Sequence, residues 1–275
     1  MNTYSFTIGE YDALILCDES APRPASSFLT DVPQDALNSA AQSLGLNADA
    51  LDFSRNVLVL RRKDQVIVVD TGMGAGRDGA FGKRLSEQGI MPEQVTLIII
   101  THGHLDHIGG ILADDGSFIY PNARYAISDA EWGYSTNDTL IAADTPPNTI
   151  WRALLADQRR VTRLNLSAGE AEIAPGITAI PAYGHTVGHI GLLIESNGDR
   201  LIHLVDAVHS SLQVVHPEWS PKFDYDKAQA ADTRRALFAR AAWEQLHTLI
   251  YHFPFPGLGK VSEQDGAFGW TPFTL

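Results

Sequence analysis

The sequence predicts one α/β sandwich domain across residues 1–275, with two mixed β-sheets face to face and helices on the outer faces. Three observations carry this. Apolar, β-branched runs alternate with helical stretches; the second half repeats that arrangement with no linker between; and the clustered histidines and aspartates fall where strands end.

Taken in order, "YSFTI" and "ALILC" read as an opening hairpin. "DALNSAAQSLG" places Leu37, Ala40, Ala41 and Leu44 on one helical face, with Gly45 as the stop. "NVLVLRR" and "QVIVVDTG" are strands joined by a polar turn, "RDGAFGKRLSEQG" is a short helix, and "QVTLIII" is an apolar strand ending at Thr101. The second half supplies strands in "GITAIPAYGH", "HIGLLIES", "RLIHLVDAVH" and "HTLIYHFPF". Between the last two lies a long helix, "DKAQAADTRRALFARAAWEQL", capped by Asp226.

The composition narrows the function. A formal net charge of −13 without a basic patch excludes a nucleic-acid partner and disfavours an anionic membrane. The amino terminus has no basic, apolar and small-residue succession of a secretory signal, so a cytoplasmic protein is expected. Apolar runs fall short of the roughly 20 residues of a membrane span. Cys17 is the single cysteine, which rules out an internal disulfide and reads as a small core residue.

The chemistry concentrates in "THGHLDHIGG", residues 101–110. In extended chain, residues i and i+2 point the same way, so His102 and His104 can grip one cation while Gly103 takes the backbone angles this demands. A helix starting near Leu105 would swing Asp106 and His107 toward a second cation. Three later strand ends add His185, Asp206 and His252, where α/β sheets gather ligands. The count then gives His102, His104 and His185 to one ion, Asp106, His107 and His252 to the other, and Asp206 as a bridge. His247 competes with His252 but lies at the strand's start. His189, His203 and His216 fill no place and read as structural or surface residues. Imidazole and carboxylate without thiolate suit Zn²⁺ first, with Mn²⁺, Fe²⁺ and Co²⁺ as alternatives. Two ions about 3.5–4 Å apart would share a water that loses its proton near neutral pH, a nucleophile needing no serine or cysteine.

These residues, with "GHT" and the strand-terminal Asp206, resemble the metallo-β-lactamase superfamily over nearly the whole chain. Within it, "YGHTVGHIGLLIES", "DAVHSSLQVVHPEW" and "HFPFPGLGKV" resemble the methyl parathion hydrolase-like branch, which is similar in turn to the superfamily's lactone hydrolases. The resemblance implies an αβ/βα sandwich, the same seven metal ligands and a homodimer, with the segment before residue 50 as a contact. It also implies that Asp70 orients a ligand loop; capping the following turn is that residue's other use. Many lactone hydrolases of the superfamily carry a tyrosine three residues after the bridging aspartate. This chain has His209 there, and an imidazole can donate or shuttle a proton.

The expected reaction is hydrolysis of a small neutral ester or lactone by a metal-bridging hydroxide, with Asp106 and His209 moving protons. Phosphotriester hydrolysis of the methyl parathion hydrolase type is the alternative, and a non-catalytic metal-binding domain is the rival from another class. Trp132, with Tyr134 and Trp151, is expected to wall the substrate pocket.

Overall fold

The computed structural model describes residues 2–273. The first sheet runs β1 (Thr3–Ile8), β2 (Tyr11–Arg23), β3 (Leu51–Arg62), β4 (Gln65–Val69), β5 (Leu97–Ile99), β6 (Arg124–Ser128) and β7 (Val161–Leu164), neighbours in that order. The second holds β8 (Ala171–Ala174), β9 (Ile177–Pro181), β10 (Ile190–Ser196), β11 (Asp199–Val205), β12 (His247–Ile250), β13 (Leu258–Gln264) and β14 (Ala267–Pro272). Both are mixed. Pairing is antiparallel from β1 to β4 and parallel from β4 to β7, while in the second sheet β11 and β12 are the parallel pair.

Period-two alternation decides which side chains meet between the sheets. On β2, Ala13 and Ile15 face inward and Leu14 and Leu16 outward; on β3, Leu58 and Leu60 face inward and Val57 and Val59 outward. The inward set packs against Ala179, Leu192 and Leu201 of the second sheet. The outward set is covered by α2 (Phe81–Glu87), α4 (Asp129–Ser135) and α6 (Pro146–Ala156) through Phe81, Leu85, Trp132 and Trp151. On the opposite outer face α8 (Lys227–Trp243) lays Leu237, Phe238 and Ala241 over Leu193, Ile202 and Leu204. Asp226 caps α8 as expected, its carboxylate accepting from the Gln229 N–H at 3.0 Å. The short helices α3 (Leu105–Ile108), α5 (Asp138–Ile141) and α7 (Leu212–Val215) sit in connections, and α1 (Gln34–Ser43) buries Leu37, Ala40 and Ala41 against Leu212 of α7.

Several boundaries differ from the sequence reading. The opening hairpin is β1 with β2, but its second strand is longer than expected and runs on to Arg23, because β2 also pairs with β3 from Asp12–Arg61 out to Arg23–Leu51. The strand through "HTLIYHFPF" stops at Ile250, and residues 251–256 turn back beneath the site. The segment between Ile111 and Ala174 holds three strands and three helices that the sequence did not resolve. No helix among the described residues is long and apolar enough to cross a membrane.

Candidate metal centre

The strand ends are shaped to deliver donors. β4 ends in Asp70 with φ 62°, and β11 ends in Val205 with φ 50°, immediately before Asp206. A left-handed β-branched residue is a costly conformation, held here by the bulge at His203 and Val205, and it turns Asp206 out of the sheet toward the loops. His102 and His104 follow β5 in extended chain, and α3 starts at Leu105, as the spacing predicts. Gly103 serves a different purpose from the expected one. Its φ is not positive, but a Cβ there would stand 3.0 Å from Glu131 Oε1 and 3.0 Å from Trp151, so the loop needs glycine for close approach.

All seven predicted donors converge. Among the described residues, His102, His104, His185 and Asp206 form one group that could hold a cation, and Asp106, His107 and His252 form a second. His104 Nδ1 lies 3.0 Å from His102 Nε2 and 3.0 Å from His185 Nε2. Such edges approach the ~3.3 Å spacing of nitrogens around one tetrahedral Zn²⁺ with bonds of about 2.0–2.1 Å. Asp206 sits between the groups. Its Oδ2 is 3.2 Å from His107 Nε2, 3.2 Å from His252 Nε2 and 3.2 Å from His209 Nε2, 3.5 Å from His185 Nε2 and 3.8 Å from His102 Nε2. Its Oδ1 is buried without a hydrogen-bond partner, as is His107 Nε2. Orphaned donor atoms this deep fit a cation that would satisfy them.

Fixed acceptors set the orientation of four of these rings. The Thr101 hydroxyl donates to Asp70 Oδ2 at 2.7 Å and faces His102 Nδ1 at 3.1 Å; Asp70 Oδ2 also holds His107 Nδ1 at 2.8 Å. Asp224 Oδ1 lies 2.8 Å from His185 Nδ1, and the Ser54 carbonyl 3.0 Å from His252 Nδ1. With Nδ1 donating, Nε2 is left as a free lone pair aimed at the site. Burial alone would drive His107 toward neutrality, yet Asp206, Asp106 and Asp70 hold its pKa well above the ordinary value. That negative environment is what a divalent ion would meet.

Asp70 is thus a histidine orienter by geometry as well as a turn residue. Asp224 and Arg234 play the same part for His185 and escaped the sequence reading. Arg234 is buried in α8 and donates to the Ala207 and Pro217 carbonyls and to Asp224, whose carboxyl burial pushes up to about 7 despite that partner. His189 is structural, bonded at Nδ1 to the Ala182 carbonyl and accepting the Asp206 N–H at Nε2. His203 is buried between the sheets, His216 stacks on Trp219, and His247 is exposed at the start of β12, away from the cluster.

Glu131 is the most consequential residue the sequence did not reveal. It is buried, and its carboxylate accepts from Gly103 N–H at 2.8 Å, the Thr186 hydroxyl at 2.6 Å and Gly188 N–H at 3.0 Å. One side chain therefore ties the loop of His102 and His104 to the loop of His185. Ser128 reinforces the joint, accepting the Glu131 N–H and donating to the Gly188 carbonyl.

The donors floor a cavity of about 550 Å³ walled by Phe28, Phe53, Phe223, Met73 and Leu105. Phe53 stacks on His252 with centroids 4.2 Å apart, and Phe223 meets the edges of His185 and His209. The expected tryptophan wall is corrected. Trp132 is buried beneath the loop, edge-to-face with Trp151 at 6.3 Å, because α4 turns it onto the first sheet; Tyr134 is exposed against Tyr225. Neither tryptophan lines the cavity.

His209 lines the cavity and forms a further potential donor group with Asp206 and His252. It differs from the other cluster histidines in having neither ring nitrogen in a hydrogen bond. Its Nε2 faces Asp206 Oδ2 at 3.2 Å, and its Nδ1 meets no acceptor. His209→Phe is expected to retain the metal content of the unsubstituted protein while losing on the order of 10²-fold in kcat. Metal analysis after dialysis checks this, and loss of an ion would make His209 a ligand.

A two-layer fold whose strand ends converge on histidines and aspartates defines a candidate metal centre. The comparisons make that specific: residues 50–246 match the family model described as the metallo-beta-lactamase superfamily, and the chain belongs to that superfamily. It is 26% identical over 182 residues to an N-acyl homoserine lactonase of a Bacillus species, covering 58% of this chain and 65% of that protein. A 62-residue stretch is 53% identical to mouse metallo-beta-lactamase domain-containing protein 1, 22% of this chain and 21% of that one. The chain spans less than two thirds of the length of these curated relatives. Among solved structures, AidC, described as a dizinc quorum-quenching lactonase, superposes with TM-score 0.88 at 25% identity, covering 100% of this chain and 98% of that one.

Proposed function

We propose that this chain is a binuclear metal hydrolase that cleaves a neutral ester or lactone. The observation that carries the reading is Asp206 Oδ2 lying between two sets of imidazoles at the floor of an open, phenylalanine-walled cavity. The similarity to lactonases over the whole fold supports the same choice. His102, His104 and His185 would hold one ion, Asp106, His107 and His252 the other, with Asp206 shared. Two divalent ions bound there, Zn²⁺ before Mn²⁺, Fe²⁺ or Co²⁺ on donor chemistry, supply a Lewis acid for the carbonyl and acidify water near neutral pH.

The chain's own groups do the rest. The phenylalanine walls hold the acyl part and exclude bulk water. Asp106 is the more accessible of the two clustered aspartates, its side chain 26% exposed against 3% for Asp206. It takes the proton from the attacking water and returns it to the alkoxide as the carbon–oxygen bond breaks. His209, which burial pushes down to about 4 despite Asp206, presents a neutral N–H to the carbonyl oxygen as charge develops there.

The test is a panel on metal-replete protein comparing aryl esters, small lactones, N-acyl homoserine lactones and a phosphotriester. Turnover of a lactone or carboxylic ester above the phosphotriester is expected. Preference for the phosphotriester would move the protein to the methyl parathion hydrolase type, and tight metal binding with no turnover of any member would make it a binding domain.

A further inference from the structure

The cavity carries a charge pattern opposite to that of the chain. Acidic residues outnumber basic ones 33 to 20, yet apart from Asp106 and Asp206 no carboxylate lines this cavity, while Arg23, Arg55 and Lys222 do. Asp18 and Glu19 behind the wall account for part of that charge. Arg55 is buried against both of them at 2.8 Å and 2.6 Å, and its Nη2 is left without a hydrogen-bond partner. Arg23 has only the shared Glu19 at 3.5 Å, and its guanidinium lies over the Phe53 ring at 5.3 Å. Lys222 makes no ion pair among the described residues; its backbone is pinned by a bond to the Phe28 carbonyl, beside Phe223. Setting aside the metal-ligand candidates Asp106 and Asp206 at the floor, three cations thus meet two carboxylates, Asp18 and Glu19, with Lys222 and Arg23 at the exposed mouth.

We infer that the mouth of this cavity binds an anionic group of the substrate, a carboxylate remote from the ester that is cleaved. The inference rests on the hydrolase reading and deepens it: the scissile group is neutral, the body apolar, and the far end negative. The Arg23 guanidinium lies 5.3 Å from the Phe53 ring centre and the His252 ring 4.2 Å from it, so the carboxylate would sit within about one aromatic ring of the reacting carbonyl. That separation fits a short aliphatic spacer. A mouth of like-signed cations also draws anions toward an otherwise repulsive acidic protein.

Mono-4-nitrophenyl glutarate and 4-nitrophenyl butyrate share a leaving group and differ by a terminal carboxylate. At low salt kcat/KM for the glutarate is expected to exceed that for the butyrate about three- to tenfold, mostly through KM, and the ratio should fall toward one at high salt. Lys222→Gln and Arg23→Gln should each lower the ratio, whereas Lys83→Gln, on the exposed face of α2, should not. A ratio at or below one in the unsubstituted protein, or one that neither substitution moves, overturns the inference. Calorimetric binding of the uncleavable glutaric and butyric 4-nitroanilides gives the same comparison without turnover. If neither ester is cleaved, the hydrolase reading fails; tighter binding of the acidic anilide then still supports the anion site, and equal binding removes it.

Discussion

Asp206→Asn is expected to empty both halves of the centre and to lower kcat/KM by on the order of 10³-fold or more. The size of the effect follows from position. One carboxylate oxygen lies within 3.8 Å of the Nε2 atoms of His102, His107, His185, His209 and His252, so it supports both donor groups at once. An asparagine removes the charge that would offset the proposed two cations and brings an NH₂ that cannot coordinate. The backbone should tolerate the exchange, because the Asp206 N–H keeps its bond to His189. Metal analysis after dialysis, with circular dichroism as the check on folding, decides the matter. Two ions retained by a folded variant would remove Asp206 from the bridging position and the proposed chemistry with it.

The donors were legible because their spacing is a local property. His102, His104, Asp106 and His107 obey the change from period two to helical period at Leu105, and His185, Asp206 and His252 stand just past apolar runs that can only be buried strands. What supports them was not legible, since it depends on which way a side chain turns after the chain has folded. Glu131 and Asp129 are both acids in the first turn of α4, alike by residue type; the fold turns Glu131 inward, buried, and leaves Asp129 paired with Arg163 nearer the surface. Asp224 sits in "PKFDYD", a polar loop by composition, and Arg234 lies on α8 among charges that mark a solvated face.

The wall of the cavity failed for a related reason. Trp132 follows the metal loop in sequence, and a large aromatic near an open site reads as a lining residue. A Cβ at Gly103 would stand 3.0 Å from Trp151, which packs edge-to-face with Trp132, so the tryptophans fill the space beneath the loop rather than above it. The actual lining comes from the long β2–β3 hairpin and the segment before α8, through Phe53, Phe28 and Phe223, which lie far from the histidine motif in the chain. Short strands such as β6, five residues with one exposed arginine, carry too little pattern to separate from loop.

Glu131→Ala is the second substitution with a large expected effect. It leaves the Gly103 and Gly188 N–H groups and the Thr186 hydroxyl without their acceptor. Buried donors stripped of a partner cost about 1–3 kcal/mol each, so a loss of about 3–5 kcal/mol and a fall of about 10 °C in Tm are expected. Glu131→Gln should lose less, because the amide oxygen still accepts while its NH₂ meets donors. A purely structural brace would lower stability and stop there. A brace that also sets ligand geometry should weaken one ion selectively, since the loops it joins carry His102, His104 and His185 but not His107 or His252. The expected signature in Glu131→Gln is a 10- to 100-fold lower affinity for that ion, with the ion of Asp106, His107 and His252 held as before. Chelator competition on the cobalt-substituted protein, followed by visible absorption, separates the two sites. Equal weakening of both ions, or a Tm change with neither affinity altered, would reduce Glu131 to part of the packing.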